Sequence, residues 1–179
     1  GKDLMKIRKN DIFLYGRKML FQMLEILYPR RCAVCDEIEV TGKGICPLCK
    51  DKVHVAGEPA CKKCGKPFVD ERKEFCTDCG KKHHVYTQGK AVFVYEGGIR
   101  NSMYRFKYGN KREYAEFYAN AALEKYGVWL NKIKAEVLIP IPMYSRKKRL
   151  RGYNQAETFA RALGRELGLP VDAGLVRRV

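Results

Sequence analysis

Four stretches of the chain carry apolar residues at the three- and four-residue spacing that is typical of amphipathic helices. The first runs from Asp11 to Tyr28, and Pro29 ends it because proline cannot continue a helix. The others cover Ile99 to Tyr108, the residues that follow Tyr114, and Asn154 to Leu167. Each stripe predicts a helix that packs on the body of the protein, and Asn154 is a candidate N-cap of the last one.

Two further stretches have the pattern of β-strands. Lys90 to Tyr95 predicts a strand that is stopped by a Gly-Gly pair. Glu136 to Pro142 is a continuous apolar run of the kind found in parallel strands that are covered on both faces. A predicted loop, Met143 to Tyr153, and then a helix follow this strand. The order predicts a βα unit and therefore an α/β fold with a parallel sheet.

All eight cysteines lie between the first helix and these elements, as four Cys-x-x-Cys pairs. A tight turn of this spacing points two thiolates at one ion, and two such turns complete the four-sulfur tetrahedron that Zn²⁺ favours. The pattern therefore predicts two zinc ions, whose ligands are Cys32, Cys35, Cys46, Cys49, Cys61, Cys64, Cys76 and Cys79. Serial pairing of neighbouring turns is favoured, although the spacing alone leaves a cross-braced arrangement open.

Glycine follows two of the cysteine pairs, at Gly65 and Gly80. A positive φ at such a position lets backbone amides point at the sulfurs, which fits a metal-binding turn. The histidines His83 and His84 are superfluous as ligands, because four thiolates already complete each site. They predict a solvated linker instead.

Other uses of paired cysteines fit the sequence less well. A disulfide framework suits secreted proteins, but no signal peptide is recognisable at the N-terminus. Redox chemistry needs one pair at a strand-to-helix junction, and iron–sulfur clusters usually have other spacings. Four thiolates saturate a zinc ion, so both predicted sites are structural and residues 32–80 form a double zinc ribbon.

The formal net charge of +16 is concentrated outside the predicted zinc sites. Residues 1–31 carry a charge of +5, residues 32–83 carry +1 and residues 84–179 carry +10. Two four-thiolate zinc sites would lower the total to about +12. This balance favours polyanionic partners, either nucleic acid or phosphorylated metabolites.

The most basic segment of the chain coincides with the predicted loop between strand and helix. It contains Arg146, Lys147, Lys148, Arg149 and Arg151, and no acidic residue occurs from 137 to 156. Ligands of open α/β sheets bind where strands end, and a helix N-terminus adds aligned amides. The segment is therefore a candidate site for pyrophosphate or a phosphodiester backbone, with a solvated basic loop as the alternative.

The same segment carries a resemblance to a known family when it is taken together with the cysteine turns. The string Ile139-Pro-Ile-Pro142 is followed by Arg146, Arg149 and Arg151-Gly-Tyr-Asn-Gln-Ala156, and four Cys-x-x-Cys turns precede it. In this combination, from about residue 28 to residue 169, the chain resembles the ComF family of competence-related proteins. The segment Phe106-Lys-Tyr-Gly109 is also similar to that family.

The resemblance implies a type I phosphoribosyltransferase-like domain with a parallel sheet, an N-terminal double zinc ribbon, and a role in DNA uptake during natural transformation. It also implies that the basic segment and the helix start bind phosphoribosyl pyrophosphate. The implied phosphate-binding residues are Lys107, Arg146, Arg149, Arg151, Gly152, Tyr153, Asn154 and Gln155. The expected domains are an amphipathic helix (1–31), the double zinc ribbon (32–80) and the phosphoribosyltransferase-like domain (81–179).

One motif of that family is missing from the chain. The family pattern has a later strand that ends in two acids followed by Thr-Thr-Gly, whereas this chain reaches Val179 without them. Phosphoribosyl transfer needs that loop for the 5-phosphate, and it needs Mg²⁺ for the departing pyrophosphate. We therefore expect an N-terminal portion of a longer protein, with an incomplete sheet and no transferase activity of its own. The sequence assigns no catalytic residue.

Three functions fit these expectations. The first is a phosphoribosyltransferase-like protein that binds phosphoribosyl pyrophosphate. The second is a non-catalytic factor for single-stranded DNA, whose basic flanks grip phosphates and whose exposed aromatic residues stack on bases. The third is an adaptor whose ribbons bind helicase or pore proteins of DNA uptake.

The cysteines and the absence of long apolar runs indicate the cellular compartment. A reduced, metal-loaded cysteine set without a membrane-spanning stretch predicts a cytoplasmic protein. The first helix, with Arg17 and Lys18 on it, leaves peripheral attachment to a membrane surface open.

Overall fold

The computed structural model describes residues 27–178. The helix predicted from Asp11 to Tyr28, and with it most of the segment 1–31, lies outside the described residues. The described chain forms a 3₁₀ helix, Pro47–Lys52, and five α-helices. The α-helices are α1 (Thr77–Lys81), α2 (Gly97–Tyr108), α3 (Tyr114–Lys132), α4 (Ser145–Arg151) and α5 (Gln155–Leu167).

The α/β prediction has to be corrected, because residues 27–178 contain isolated β-bridges but no β-sheet. The run from 136 to 142 pairs through Leu138 alone, which forms a parallel bridge with Val171. Pro140 and Pro142 interrupt any longer ladder, since proline lacks the amide hydrogen that a ladder needs. The other predicted strand contributes a single antiparallel bridge, between Phe93 and Val55.

Three of the predicted helices are present, as α2, α3 and α5. Helix α5 begins where the sequence predicts, because the side-chain oxygen of Asn154 accepts a hydrogen bond from the Ala156 amide at 3.1 Å. It ends at Gly168, whose φ of +66° is the left-handed conformation that glycine adopts without strain. The boundaries of α5 therefore follow from local signals.

The loop predicted from Met143 to Tyr153 is instead largely helical, as α4. After Ser145 its residues are lysine, arginine and leucine, which all have high helix propensity. Gly152 ends it with a φ of +77°. The five basic side chains of this segment therefore project from a short helix.

One hydrophobic core joins the helices to the first cysteine turns. Helices α3 and α5 pack against each other, and the ring of Phe93 stacks on that of Phe117 with centroids 5.5 Å apart. The buried members are Ala33, Ile99, Phe106, Tyr114, Ala115, Phe117, Tyr118, Ala119, Tyr153, Ala162 and Leu163. Because the aromatic stripe of α3 lies in this core, its rings serve packing rather than base stacking.

Candidate metal centres and basic surface

The first cysteine cluster has the dimensions of a zinc site. The sulfur atoms of Cys32, Cys35, Cys46 and Cys49 all lie within 4.8 Å of one another. Those of Cys35 and Cys46 are 3.8 Å apart. A tetrahedral zinc ion with Zn–S bonds of about 2.3 Å separates its sulfur ligands by about 3.8 Å. The residues therefore fit Zn²⁺.

The second cluster repeats this geometry with Cys61, Cys64, Cys76 and Cys79, again within 4.8 Å. The sulfurs of Cys64 and Cys76 are 3.8 Å apart, far beyond a disulfide bond of about 2.05 Å. None of the eight cysteines forms a disulfide bond. The serial pairing of the turns is confirmed, since each cluster joins two consecutive pairs.

The first turn of each ribbon has the same backbone structure. The amide of Asp36 donates to the carbonyl of Cys32 at 2.9 Å, and that of Gly65 donates to Cys61 at 2.8 Å. Both donors have a positive φ, +68° for Asp36 and +73° for Gly65. The predicted role of Gly65 is therefore present, whereas Gly80 lies inside α1 and has no such role. Asp36 was missed because aspartate adopts this conformation less often than glycine.

Backbone amides favour the thiolate form of one cysteine in the first cluster. Burial opposes ionisation of Cys32, but amides that include those of Cys46 and Val34 outweigh it and lower its pKa to about 7. Burial and the neighbouring sulfurs raise the pKa of Cys49 to about 12. Cys32 therefore reaches the thiolate form that zinc binds more readily than Cys49 does.

The second cluster has the same asymmetry. Despite burial, amides that include those of Cys76 and Cys64 lower the pKa of Cys61 to about 6. The pKa of Cys79 is raised to about 12 by desolvation and by the sulfurs around it. When bound, zinc supplies the charge that lets all four thiols ionise, and the energy of coordination stabilises the fold. With four protein ligands each, the sites have no open position for substrate.

Comparison with known families agrees with this geometry. Residues 23–80 match the double zinc ribbon domain. The segment is a double zinc ribbon. No similar curated protein and no similar solved structure was found for the chain. The match to the double zinc ribbon ends before the helices α2 to α5, which carry the predicted phosphate-binding residues.

The double zinc ribbon is anchored to the helices through its first turn. The Asp36 carboxylate accepts a hydrogen bond from the Tyr114 hydroxyl at 2.7 Å. It also forms an ion pair with Lys111 at 2.8 Å. Burial raises the pKa of this carboxyl, but Lys111 and Tyr114 outweigh it, so the pKa lies below its ordinary value. Arg105 donates to the carbonyl of Val34 at 2.6 Å. The first ribbon and the helices thus form one unit.

The arginines predicted to bind phosphate are accessible on α4. Arg146 and Arg149 are exposed, and within residues 27–178 neither makes a side-chain hydrogen bond or ion pair. Arg151 donates to the Tyr108 hydroxyl at 2.9 Å, and its guanidinium lies 4.6 Å from the centre of that ring. Tyr108 was not predicted as a site residue, although it stands in the Phe106-Lys-Tyr-Gly109 segment.

The remaining predicted residues hold the fold around α4. Tyr153 donates its hydroxyl to the carbonyl of Phe106. Asn154 caps α5 and also donates to the carbonyl of Ile141 at 3.0 Å. Gln155 donates to the carbonyl of Lys107 at 3.3 Å and accepts from Arg151 at 3.1 Å. The further residues involved are Gly152, which ends α4, and Lys107, whose ammonium lies 5.9 Å from the centre of the Tyr95 ring.

A cleft of about 770 Å³ separates the start of α3 from α5, and most of the charged side chains that line it form ion pairs. Glu116 contacts Arg165 at 3.1 Å, and Glu157 contacts Arg161 at 2.8 Å and Lys148 at 3.3 Å. Arg161 and Lys148 hold the pKa of Glu157 below its usual range despite its partial burial. The cleft therefore has acidic and basic side chains together, whereas α4 has basic ones and no acidic one.

No helix within residues 27–178 has both the length and the apolar character that crossing a membrane requires.

Proposed function

We propose that this protein binds single-stranded nucleic acid without catalysis, and that the double zinc ribbon supports the binding surface. One observation carries the proposal. Helix α4 bears five basic side chains, and its last one, Arg151, lies against the exposed ring of Tyr108. Cations beside exposed aromatic rings are the combination by which proteins grip phosphates and stack on bases.

Most of the basic side chains of α4 are not paired with a carboxylate of the described residues. Lys148 pairs with Glu157 at 3.3 Å, whereas Arg146, Lys147 and Arg149 have no carboxylate partner among the described residues. A phosphodiester backbone would replace the counterions around these side chains, and their release drives association.

The aromatic part of the surface is a pair of tyrosines. The rings of Tyr104 and Tyr108 lie 5.0 Å apart at an angle of 45°, and their residues are 65% and 59% exposed. Exposed rings of this kind contribute about 1–3 kcal/mol for each stacked base. Because stacking is tolerant of sequence, we expect little base specificity.

Salt-dependent binding of a fluorescent oligothymidylate tests the proposal. We expect the double variant Arg146→Gln, Arg149→Gln to bind more weakly and to flatten the plot of log K against log salt by about 1.4, since single strands give about 0.7 per phosphate contact. Tyr104→Ala with Tyr108→Ala should weaken binding without changing that slope, because stacking releases no counterions.

The matched control is Arg100→Gln with Lys132→Gln, which removes the same charge from exposed positions outside α4. A general effect of net charge would weaken both double variants equally and would contradict the proposal. Binding by the wild-type protein that does not depend on salt would contradict it as well.

Phosphoribosyl pyrophosphate is the second candidate ligand, and it follows from the resemblance to the ComF family. The observation that favours it is the parallel bridge between Leu138 and Val171, which brackets α4 and the capped start of α5 as a βα unit would. Mg²⁺ would accompany this ligand. Displacement of the oligonucleotide by magnesium and phosphoribosyl pyrophosphate, but not by ribose 5-phosphate, would favour it.

The same resemblance suggests a setting for the binding activity. A factor that receives a single strand during DNA uptake would act in the cytoplasm, where cysteines stay reduced and available to zinc. Docking of the ribbons on helicase or pore proteins is compatible with this role. Transformation frequency in cells that carry the Arg146→Gln, Arg149→Gln variant would test the setting, with unchanged frequency speaking against it.

A further inference from the structure

We propose that the second ribbon carries a separate cationic and aromatic site for a nucleotide unit of the same single strand. This inference rests on the proposed function, which it extends from one contact surface to two. The site is formed by Lys63, Lys81, Lys82, His83, His84 and Tyr86, and we call it the ribbon pocket.

The chain after α1 folds back on the second ribbon instead of leaving it as a free linker. The side-chain amide of Gln88 donates to the carbonyl of Lys62 at 3.2 Å. The backbone amide of Gly89 donates to the carbonyl of Lys63 at 2.6 Å. These two bonds tie the end of the segment to the Cys61–Cys64 turn. The predicted solvated linker fits His83, which is exposed, whereas His84 is half-buried.

The returning segment brings an aromatic ring to the pocket. Tyr86 is 42% exposed, and its ring stacks with that of His84 at a centroid distance of 5.1 Å and an angle of 27°. The ammonium of Lys63 lies 5.2 Å from the centre of the Tyr86 ring. The three groups together offer a stacking surface with a cation beside it, which suits a base and its phosphate.

The pocket next to this ring is lined by three lysines and by the zinc ligand Cys79, and it contains no carboxylate. It has a volume of about 440 Å³, and its lining includes Lys63, Lys81 and Lys82 together with both histidines. Three carboxylates of the second ribbon are paired with lysines outside the pocket. Glu74 pairs with Lys62, Asp78 with Lys66 at 3.7 Å, and Asp70 with Lys73 at 3.7 Å.

Neutralisation of the zinc–thiolate charge does not account for these lysines. The first ribbon holds the same four thiolates, yet the pocket beside its Cys35 and Cys49 contains Asp51 and a single lysine, Lys52. The pocket beside the first four-sulfur site therefore does without three lysines. An anionic ligand does account for them.

Binding of a fluorescent thirty-nucleotide oligothymidylate by the full chain tests the ribbon pocket. We expect Lys81→Gln with Lys82→Gln to weaken binding about tenfold and to flatten the salt dependence by about 1.4, while the protein keeps two zinc ions. Lys66→Gln with Lys73→Gln is the control, since both lysines lie on the same ribbon but are paired with aspartates. Equal effects of the two double variants would overturn the proposal.

A second variant decides the matter if the lysine variant loses zinc. Tyr86→Ala leaves every lysine in place, and we expect it to weaken binding several-fold with an unchanged salt slope. Unchanged affinity of Tyr86→Ala would then overturn the ribbon pocket.

The two proposals fail separately. If Arg146→Gln with Arg149→Gln weakens binding while the ribbon variants do not, the ribbon pocket is wrong and the surface on α4 stands. If the reverse holds, the ribbon pocket stands and the assignment to α4 is wrong.

Discussion

Gly65 and Asp36 occupy the same position in the two ribbons, yet the space available for a side chain differs between them. Both have a positive φ of about 70°. A side-chain carbon on Gly65 would lie 2.6 Å from the backbone nitrogen of Ala91. Asp36 has room for its carboxylate, which reaches Tyr114. The second ribbon therefore needs glycine for space as well as for conformation.

Replacing Gly65 by alanine tests this residue-scale argument. We expect Gly65→Ala to cost more than the roughly 1–2 kcal/mol of a left-handed alanine, because the Ala91 segment must also move away. Gly42→Ala is the matched control, since Gly42 has the same φ of +73° and no atom within 4 Å of the added carbon. Urea denaturation of the zinc-loaded proteins measures both, and equal losses would contradict the steric part of the argument.

Asn154 shows how one side chain connects two elements. It caps α5 through Ala156, and it also binds the carbonyl of Ile141 in the extended segment that precedes α4. Gly152 and Asn154 thus fix both the end of α4 and the start of α5. The orientation of the basic helix depends on this junction.

Removal of the Asn154 side chain should destabilise the protein. We expect Asn154→Ala to lower the free energy of unfolding by about 1–3 kcal/mol, because it removes a cap and leaves the Ile141 carbonyl without its donor. Asn120→Ala, at an exposed position of α3, should change it little. Thermal unfolding followed by circular dichroism makes the comparison, and similar losses in both variants would refute the role of the cap.

The elements differ in how far the sequence predicts them. Helices α3 and α5 were predictable because their apolar spacing is a local signal, as is the Asn154 cap of α5. The helix propensity of the α4 residues and the glycine at 152 also favour a helix there. The segment was predicted as a loop because it lies between a predicted strand and a predicted helix. The sheet was predicted from a run whose pairing partners are distant in sequence, and such partners leave no local trace.

The candidate site shows the same division. The metal ligands were predictable because cysteine spacing alone encodes them. The contact of Arg151 with Tyr108 and the return of Tyr86 to Lys63 were not, since each joins positions that no periodic pattern relates.

At the scale of the whole molecule, the two ribbons are attached differently. The first shares the main core through Ala33 and is bonded to the helices through Asp36 and Val34. The second contacts the rest mainly through the 89–91 segment that packs on Gly65. Loss of the first zinc ion should therefore destabilise the helices, whereas loss of the second should destabilise the second ribbon alone.

Paired cysteine variants test this difference. We expect Cys32→Ser with Cys35→Ser to lose one zinc ion and to lower the melting temperature of the helices by several degrees, as a loss of a few kcal/mol would. Cys61→Ser with Cys64→Ser should lose one zinc ion with little change in that transition. Zinc content by mass spectrometry and ellipticity at a helical wavelength provide the readouts. Equal shifts would show that both ribbons stabilise the helices alike.

Serial pairing also sets the order in which the protein can acquire metal during synthesis. Each cluster draws its ligands from one short segment, 32–49 or 61–79, so neither site waits for the residues of α2 to α5. A cross-braced pairing would have kept both sites open until the third turn emerged. Ribosome-bound chains arrested after residue 49 has emerged should already retain one zinc ion, and those arrested after residue 79 should retain two. The helices would then fold onto a metal-loaded first ribbon.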